Sequence, residues 1–507
     1  MIYYGSKTGY GTAGASTTRR ATKGMTARSS SPHQDIDMNQ FTLRQRGRLM
    51  YMGNPVAASA IKTLRTNTIG VGLTLNPRPD TDFLGLSTEQ ASEWVKAVKR
   101  EFGLWADRPG TCDATGINNF YDLQQMLVSS WLQSGDVFVF IEQREPELFA
   151  PYRMRLKTVE ADRIVTPDDS AFGAYVSLTS GKNPNNGNTI YDGIEIDKNG
   201  MVAAYWVCNK YPYEISGGER KTIRIEARGE KTGLPNVLHI LATERPEQYR
   251  GVSYLAPVII PLLQLNRYTE AEIDAAVVEA SFAAFVKTTE DPSDMPFNET
   301  MPDEENPEGV SYDPNEYEIG PGTINVMNPG EDVTFADPKR PASGYEAFVG
   351  AIATQIGAAL EIPKDILLKQ FNASYSASRG ALLEAWKSFR MYRTWFINDF
   401  CNPVYELWMT EAVASGRIKA PGFFTDPSIR SAWLRAQWIG PSQGQLDPTK
   451  EIKAEVEACA NGFSTHADSA LRINGSDFDA NVDQLIREQV KINDLIKEAR
   501  NAEVQES

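Results

Sequence analysis

Between Thr288 and Arg340 the chain carries fourteen acidic residues against two basic ones, Lys339 and Arg340, together with eight prolines. A run of this kind cannot build a core, because its charges resist burial and each proline removes a backbone donor. Composition alone leaves it disordered in a monomer. It ends, however, in IGPGTINVMNPGEDVTFAD, where two β-like runs flank a Pro-Gly turn, so part of it is expected to pair into a small sheet. Any fold for this chain must therefore carry an acidic insertion between two helical stretches.

Before the insertion, residues 258–286 read as one helix of about 28 residues, roughly 40 Å long. Pro261 sits in its first turn, and Glu270, Glu272, Asp274 and Glu279 crowd its second half. After it, Tyr345, Phe348, Ile352, Ile356 and Leu360 fall at spacings of three and four, and Pro363 stops that helix. FNASYSASRGALLEAWKSFR follows, a small polar loop that passes abruptly into helix. That helix, of about 35 residues, is expected to bend at Pro403 and end at Gly416. Trp386, Phe389, Trp395, Phe396 and Phe400 along it demand a large partner surface.

The region before position 250 alternates differently. NPVAASAIKTLRTNTIG, STEQASEWVKAVKREFGLW with Ser87 as N-cap, and FYDLQQMLVSSWLQSG closing on Gly135 predict three helices over 49–135. From 136 to 245 the period drops to two: VFVFI, YRMRLKTV, YVSLT, GIEID, MVAAYWVCN, TIRIEA and NVLHILA predict strands, with a DKNG hairpin turn. The chain end from DPTKE onward reads as charged helices, TKEIKAEVEACANG and a last one capped by Ser476. Residues 1–48, rich in Gly, Ser and Thr with eight basic residues against Asp35 and Asp37, read as a mobile arm.

A net charge of −15 over 507 residues argues against a protein that grips nucleic acid by neutralising phosphates. Cys112, Cys208, Cys401 and Cys459 form no C-x-x-C pair and read as unpaired, buried thiols of a reducing compartment. No apolar secretory stretch opens the chain, and AFVGAIATQIGAAL at 347–360 is too short for a bilayer. Among three histidines, His33 lies in the arm, His239 in a strand as a core residue, and His466 near the end, with no metal or triad spacing. No phosphate-binding or dinucleotide glycine motif occurs. The run Asp303, Glu304, Glu305 could hold Mg²⁺ or Ca²⁺, but reads better as a solvated charge run. No catalytic residue, cofactor or metal site is predicted.

Eight segments, in order, carry a resemblance: NPVAASAIKTLRTNTIGVGLTLNP, GDVFVFI, AYWV, RPEQYRGVSYLAPVI, IGAALEIPKDIL, SYSASRGALLE, FCNPVYELWMTEAVASGRI and WIGPSQGQLDPTKE. From about residue 40 to 490 the chain resembles the portal proteins of tailed double-stranded DNA phages, of the lambda-type portal family. The resemblance implies an α+β portal fold with wing, stem, clip and crown parts. It also implies a homo-oligomeric ring, usually of twelve subunits, at one capsid vertex of the virion, assembled in the host cytoplasm. Double-stranded DNA would pass its channel non-specifically during packaging and ejection. Implied partners are the terminase large subunit, a head-tail adaptor, and capsid and scaffold proteins, with no membrane and no catalysis. The parts map onto 49–255 with some of 380–445 (wing), 256–286 and 343–361 (stem), 287–342 (clip), 362–378 (tunnel loop) and 446–507 (crown). Lys369, Gln370, Asn372, Ser374, Tyr375 and Ser376 would face DNA, and Glu304, Glu305, Glu308, Glu316 and Glu318 would dock the packaging motor. Competing readings are a metal-dependent hydrolase or nuclease built on clustered carboxylates, and another head-tail connector component.

Overall fold

The computed structural model describes residues 13, 15–16, 18–25, 29–167, 180–214, 219–281, 285–288, 331–334, 344–371, 374–444 and 447–506. Along the chain run α1 (Met38–Gly53), α2 (Pro55–Thr68), β1 (Thr74–Pro77), α3 (Thr88–Ala106), α4 (Phe120–Ser134), β2 (Asp136–Gln143) and β3 (Met154–Glu160). Next come β4 (Ser180–Lys182), β5 (Thr189–Tyr191), β6 (Ile194–Ile196), β7 (Val202–Cys208), β8 (Thr222–Glu226) and β9 (Val237–Leu241). Then follow α5 (Ile259–Ser281), β10 (Phe285–Thr288), β11 (Glu331–Thr334), α6 (Tyr345–Ala359), α7 (Lys364–Leu368), α8 (Tyr375–Phe396) and α9 (Asn402–Ala414). The chain closes with α10 (Pro427–Leu434), β12 (Ala436–Ile439), α11 (Pro448–Ala460), α12 (His466–Asn474) and α13 (Phe478–Glu506). This is an α+β chain of two compact units, one of residues 1–259 with 357–507 and one of residues 260–356.

In the first unit, β3, β2 and β9 form an antiparallel sheet in that order, β4 to β8 form a sequential five-stranded meander, and β1 pairs with β12. The caps predicted at Asn54, Ser87 and Gly135 are in place, whereas the last helix starts at Phe478, so Asp477 and not Ser476 stands at its N-cap. Asn54 accepts from the Ala57 amide, Ser87 and Gln90 make a capping box, and Gly135 takes φ 95° after α4. The DKNG turn joins β6 to β7, with Gly200 at φ 83°. β4 and β5, each of three residues, and β1 with β12, each of four, carried too little periodicity to be read in advance. YVSLT lies outside the described residues.

The core of this unit is aromatic. Phe102 of α3 meets Trp105 at 5.5 Å, Phe120 at 5.6 Å and Trp408 at 5.0 Å between ring centroids, with Tyr405 and Trp438 completing the cluster. The helix read as broken or bent at Pro403 passes from α8 to α9 through a π-turn at Ile397–Cys401. A proline cannot donate into the ladder, and widening the preceding turn absorbs the mismatch. α9 ends before Gly416, at φ 72°.

Two expectations change. Residues 33–37 form a π-turn leading into α1, so the arm read over 1–48 overlaps an ordered, packed helix. α1 is inverted: Gln40, Arg44 and Gly47 are buried, whereas Met38, Leu49 and Met52 are exposed. A polar inner face hides a helix from any search for apolar stripes. A Cβ on Gly47 would lie 2.5 Å from the Ser253 hydroxyl, so its absence lets α1 approach this closely. The helix read over 258–286 spans 23 residues as α5, with a 3₁₀ turn at Ala256–Val258 ahead of Pro261.

In the second unit, α5 and α6 pack through Tyr268, whose ring lies 4.4 Å from Phe348 and 5.8 Å from Tyr345. β11, from the end of the acidic insertion, runs antiparallel to β10, with Phe285 opposite Thr334 and Thr288 opposite Glu331. Phe285 and Val286, read as the end of the preceding helix, are therefore strand, and the first run before the Pro-Gly turn lies outside the described residues. Among the described residues no helix is long and apolar enough to cross a membrane.

Candidate functional site

The small polar loop lies between α7 and α8, and each border has a physical cause. After α6 the chain reverses where the Ile362 amide donates to the Gly357 carbonyl at 2.9 Å. A Cβ on Gly357 would sit 2.4 Å from the Ile362 carbonyl oxygen, which only glycine tolerates. Glu361 takes φ 53° and Lys369 φ 55°, so non-glycine residues in the left-handed region bracket the α7 segment. Such positions cost about 1–2 kcal/mol each and persist only where surroundings hold them. The hold is visible: Leu367 is buried, its carbonyl accepts from Ser59 Oγ of α2 at 2.7 Å, and Tyr254 Oη donates to the Leu360 carbonyl.

Lys369 is the exposed C-cap of α7, and the Gln370 amide donates to the Asp365 carbonyl at 3.0 Å. Asn372 lies outside the described residues. Ser374 is the exposed N-cap of α8, its hydroxyl 3.4 Å from that of exposed Ser376, and Tyr375 is the first residue of α8. Glu304, Glu305, Glu308, Glu316 and Glu318 all lie outside the described residues. Phe371, beside the predicted DNA-facing residues but not among them, is 65% exposed. Its signal was available: one aromatic among small polar residues has nothing local to pack on.

α8 roots the loop. Trp386 and Phe389 are buried, and the Arg393 guanidinium stacks over Trp386 at 5.5 Å. Arg393 donates to the carbonyls of Asn67, Thr68 and Pro441, each at 2.8 Å. Burial, with Arg390 adding to it, lowers its pKa to about 10, since only neutral oxygens compensate it. Arg379, the first arginine after the loop, is neutralised by Glu451 of α11. The loop thus presents hydroxyls, an amide, a phenyl ring and one lysine, which can make weak reversible contacts but do not fix a charged ligand.

Two further places were candidates for chemistry. A cavity of about 700 Å³ lies between α3 and the start of α13. Its cations are already paired, Arg78 with Asp479 at 3.6 Å, Lys96 with Asp483 at 2.7 Å and Lys99 with Asp477 at 2.5 Å. The second is a buried charge cluster. Arg250 Nε lies 2.6 Å from Asp136 and its Nη1 2.7 Å from Asp192, while Arg44 approaches Asp162 at 3.6 Å and Arg48 pairs with Asp162. Burial pushes the Asp136 carboxyl up, and Arg250 together with His239 more than offsets this, leaving it well below the usual range. His239, stacked on Phe138 at 4.2 Å, is pushed down by burial and is a core residue as read from sequence. The cluster is enclosed and internally balanced. Among the described residues no group of three or more His, Cys, Asp or Glu is arranged to hold a metal ion, and Cys112, Cys208, Cys401 and Cys459 are free thiols.

Comparison with known proteins gives these features a family. The "Probable portal protein" of Halomonas phage phiHAP-1 is 24% identical over 467 residues, covering 91% of this chain and 82% of that protein. "Portal protein B" of Escherichia phage lambda is 22% identical over 455 residues, covering 86% of this chain and 81% of that protein. A chain in the solved structure "Neck of native GTA particle computed with C12 symmetry" aligns with TM-score 0.45 and 14% identity, over 86% of this chain and 94% of that one. The family model described as "Phage portal protein, lambda family" matches residues 18–393. This chain therefore belongs to the lambda family of phage portal proteins.

Proposed function

We propose that this chain closes into a ring of identical subunits, about twelve, at one vertex of a phage head, with DNA sliding through its axis during packaging and ejection. Head-to-tail contacts close when the rotation per subunit divides the circle. The observation that carries the DNA-facing assignment is that Lys369, Gln370, Phe371, Ser374 and Ser376 are exposed and sparing in charge beside the packed α7 and α8. A wall that neutralised many phosphates would stall a moving duplex, whereas hydroxyls and one lysine let it pass. Lys369, Gln370, Asn372, Ser374, Tyr375 and Ser376 would touch DNA, with Phe371 adding an apolar contact. Residues 49–255 with part of 380–445 would be wing, 256–286 and 343–361 stem, 287–342 clip and 446–507 crown. The clip, with Glu304, Glu305, Glu308, Glu316 and Glu318, would dock the terminase large subunit, and a head-tail adaptor, capsid and scaffold proteins would meet the remaining faces. The role is structural, without catalysis.

Two measurements test this. Negative-stain images of the purified protein should show rings of about twelve subunits with an axial hole. Monomers that hydrolyse DNA with added Mg²⁺ would instead support the carboxylate-enzyme reading. Deleting residues 371–377 should leave rings intact and abolish packaging. Packaging at the normal rate after the deletion would remove the loop from the DNA path.

A further inference from the structure

The described residues leave one helix without an obvious bed. α13 spans 29 residues, roughly 43 Å at 1.5 Å per residue. Among the described side chains, the contacts that tie it to its own subunit fall at its start and on the residue before it: His466 stacks on Phe478, and Asp477, Asp479 and Asp483 pair with Lys99, Arg78 and Lys96. Every residue from Gln484 to Leu495 is exposed. That includes Leu485 at 61%, Ile486 at 59%, Val490 at 54%, Ile492 at 48% and Leu495 at 64%. So much contiguous apolar surface marks a site of association.

Its arrangement says with what. At about 100° per residue, Leu485, Ile492 and Leu495 form one row, and Ile486 with Val490 form a second whose centre lies roughly 150° around the helix. Gln489 and Asn493 occupy the arc between them and bond to each other at 3.2 Å. A single flat partner would bury that amide pair along with both rows. Two helices, one on each side, bury the rows and leave the amides in water. In a ring every subunit has one neighbour on either side in the same relation, so two unlike rows are what cyclic packing requires. We infer that α13 packs between the α13 helices of two further copies of this chain, the Leu485 row of one against the Ile486 row of the next. This inference rests on the ring reading above.

Cyclic symmetry gives a register. With α13 running along the ring axis, identical residues of all copies lie at one height, so Leu485 and Ile486, about 1.5 Å apart along that axis, face each other across each contact. The test uses the full chain carrying Leu485→Cys, Ile486→Cys or both, oxidised after assembly and run on denaturing gels, with native mass spectrometry of the same samples. The double variant should give a ladder of linked species reaching the ring size, and each single variant should run as monomer like the unsubstituted chain. Dimers from either single variant would mean like rows face each other, which overturns the inference. A ring by native mass whose double variant stays unlinked would also overturn it while leaving the ring reading standing. An unsubstituted chain that stays monomeric would overturn the ring reading, and the inference with it.

Discussion

Around Phe102 five aromatic rings pack within 6.4 Å of its centroid. Around Arg250, in the same compact unit, the packing is ionic: two carboxylates and the carbonyls of Ala161, Ile164 and Asp192 fill the guanidinium's hydrogen-bonding capacity. The aromatic cluster gains from every square ångström it hides and tolerates loss in proportion to volume. The charged cluster gains little net energy, yet removing one member strands the others without water or partner. The two should therefore respond oppositely to volume-conserving changes and similarly to truncation.

Arg250→Met separates them most sharply. The side chains are of similar bulk, but Asp136 and Asp192 would be left as buried, uncompensated carboxylates. Burial pulls the Arg250 guanidinium down, and Asp136 with Asp192 more than offsets it, so the ion is well held in the folded chain. Loss of about 3–5 kcal/mol in denaturant-induced unfolding is expected. A loss below about 1 kcal/mol would mean that the cluster is hydrated and comparable to a surface pair.

On the aromatic side, Trp386→Ala should cost a similar amount, about 3–5 kcal/mol, because it opens a cavity beneath the loop-bearing helix and strips the ring from Arg393. The same unfolding measurement reads it. An unchanged midpoint would show that α8 is not packed through this residue. Trp386→Phe should recover most of the loss, which the charged cluster would not allow for any neutral replacement of Arg250.

These regions differ equally in how far sequence revealed them. The aromatic helices announced themselves through spacing and caps: Asn54, Ser87, Gly135 and Gly416 all stand where local chemistry required. The charged cluster left no local trace. Arg250 lies 114 residues from Asp136 and 58 from Asp192, and Gln40 and Arg44, buried on α1, looked like a polar arm. FNASYSAS was read as a loop, but α8 already begins at Tyr375, and the left-handed turn at Lys369 was not legible because lysine carries no preference for that conformation. Two three-residue strands, β4 and β5, acquire their identity only from neighbours in the meander.

Acidity should act through two carboxylates, Asp37 on the charged side and Asp399 beside Phe400 on the aromatic side. Asp37, bonded to His33 at 2.7 Å and within electrostatic reach of Asp192 and Arg250, is pushed up by burial to about 6. Its folded pKa exceeds its unfolded value, so its contribution is complete below about pH 4 and is lost as pH rises through about 6. Asp37→Asn should flatten the fall in stability between pH 4 and 6, by roughly 1–3 kcal/mol across that window. Asp399, pushed up to about 6 by burial, leaves a residual slope of the same sign. A steeper fall in the variant would mean that the Asp37 carboxylate is stabilised by His33 and that burial does not dominate.

The smallest effect is expected where the aromatic core contains a polar fault. Tyr405 is buried within the ring cluster, and its hydroxyl has no hydrogen-bond partner among the described residues. Burial alone pushes its phenol well above the ordinary value. An unpaired buried hydroxyl costs about 1–3 kcal/mol in desolvation, and deleting it leaves a gap too small to forfeit much packing. Tyr405→Phe should leave stability unchanged or raise it by up to about 1 kcal/mol in the same unfolding assay. A loss above about 1 kcal/mol would require a partner for that oxygen, such as an enclosed water, and would bring this part of the aromatic core nearer in kind to the charged one.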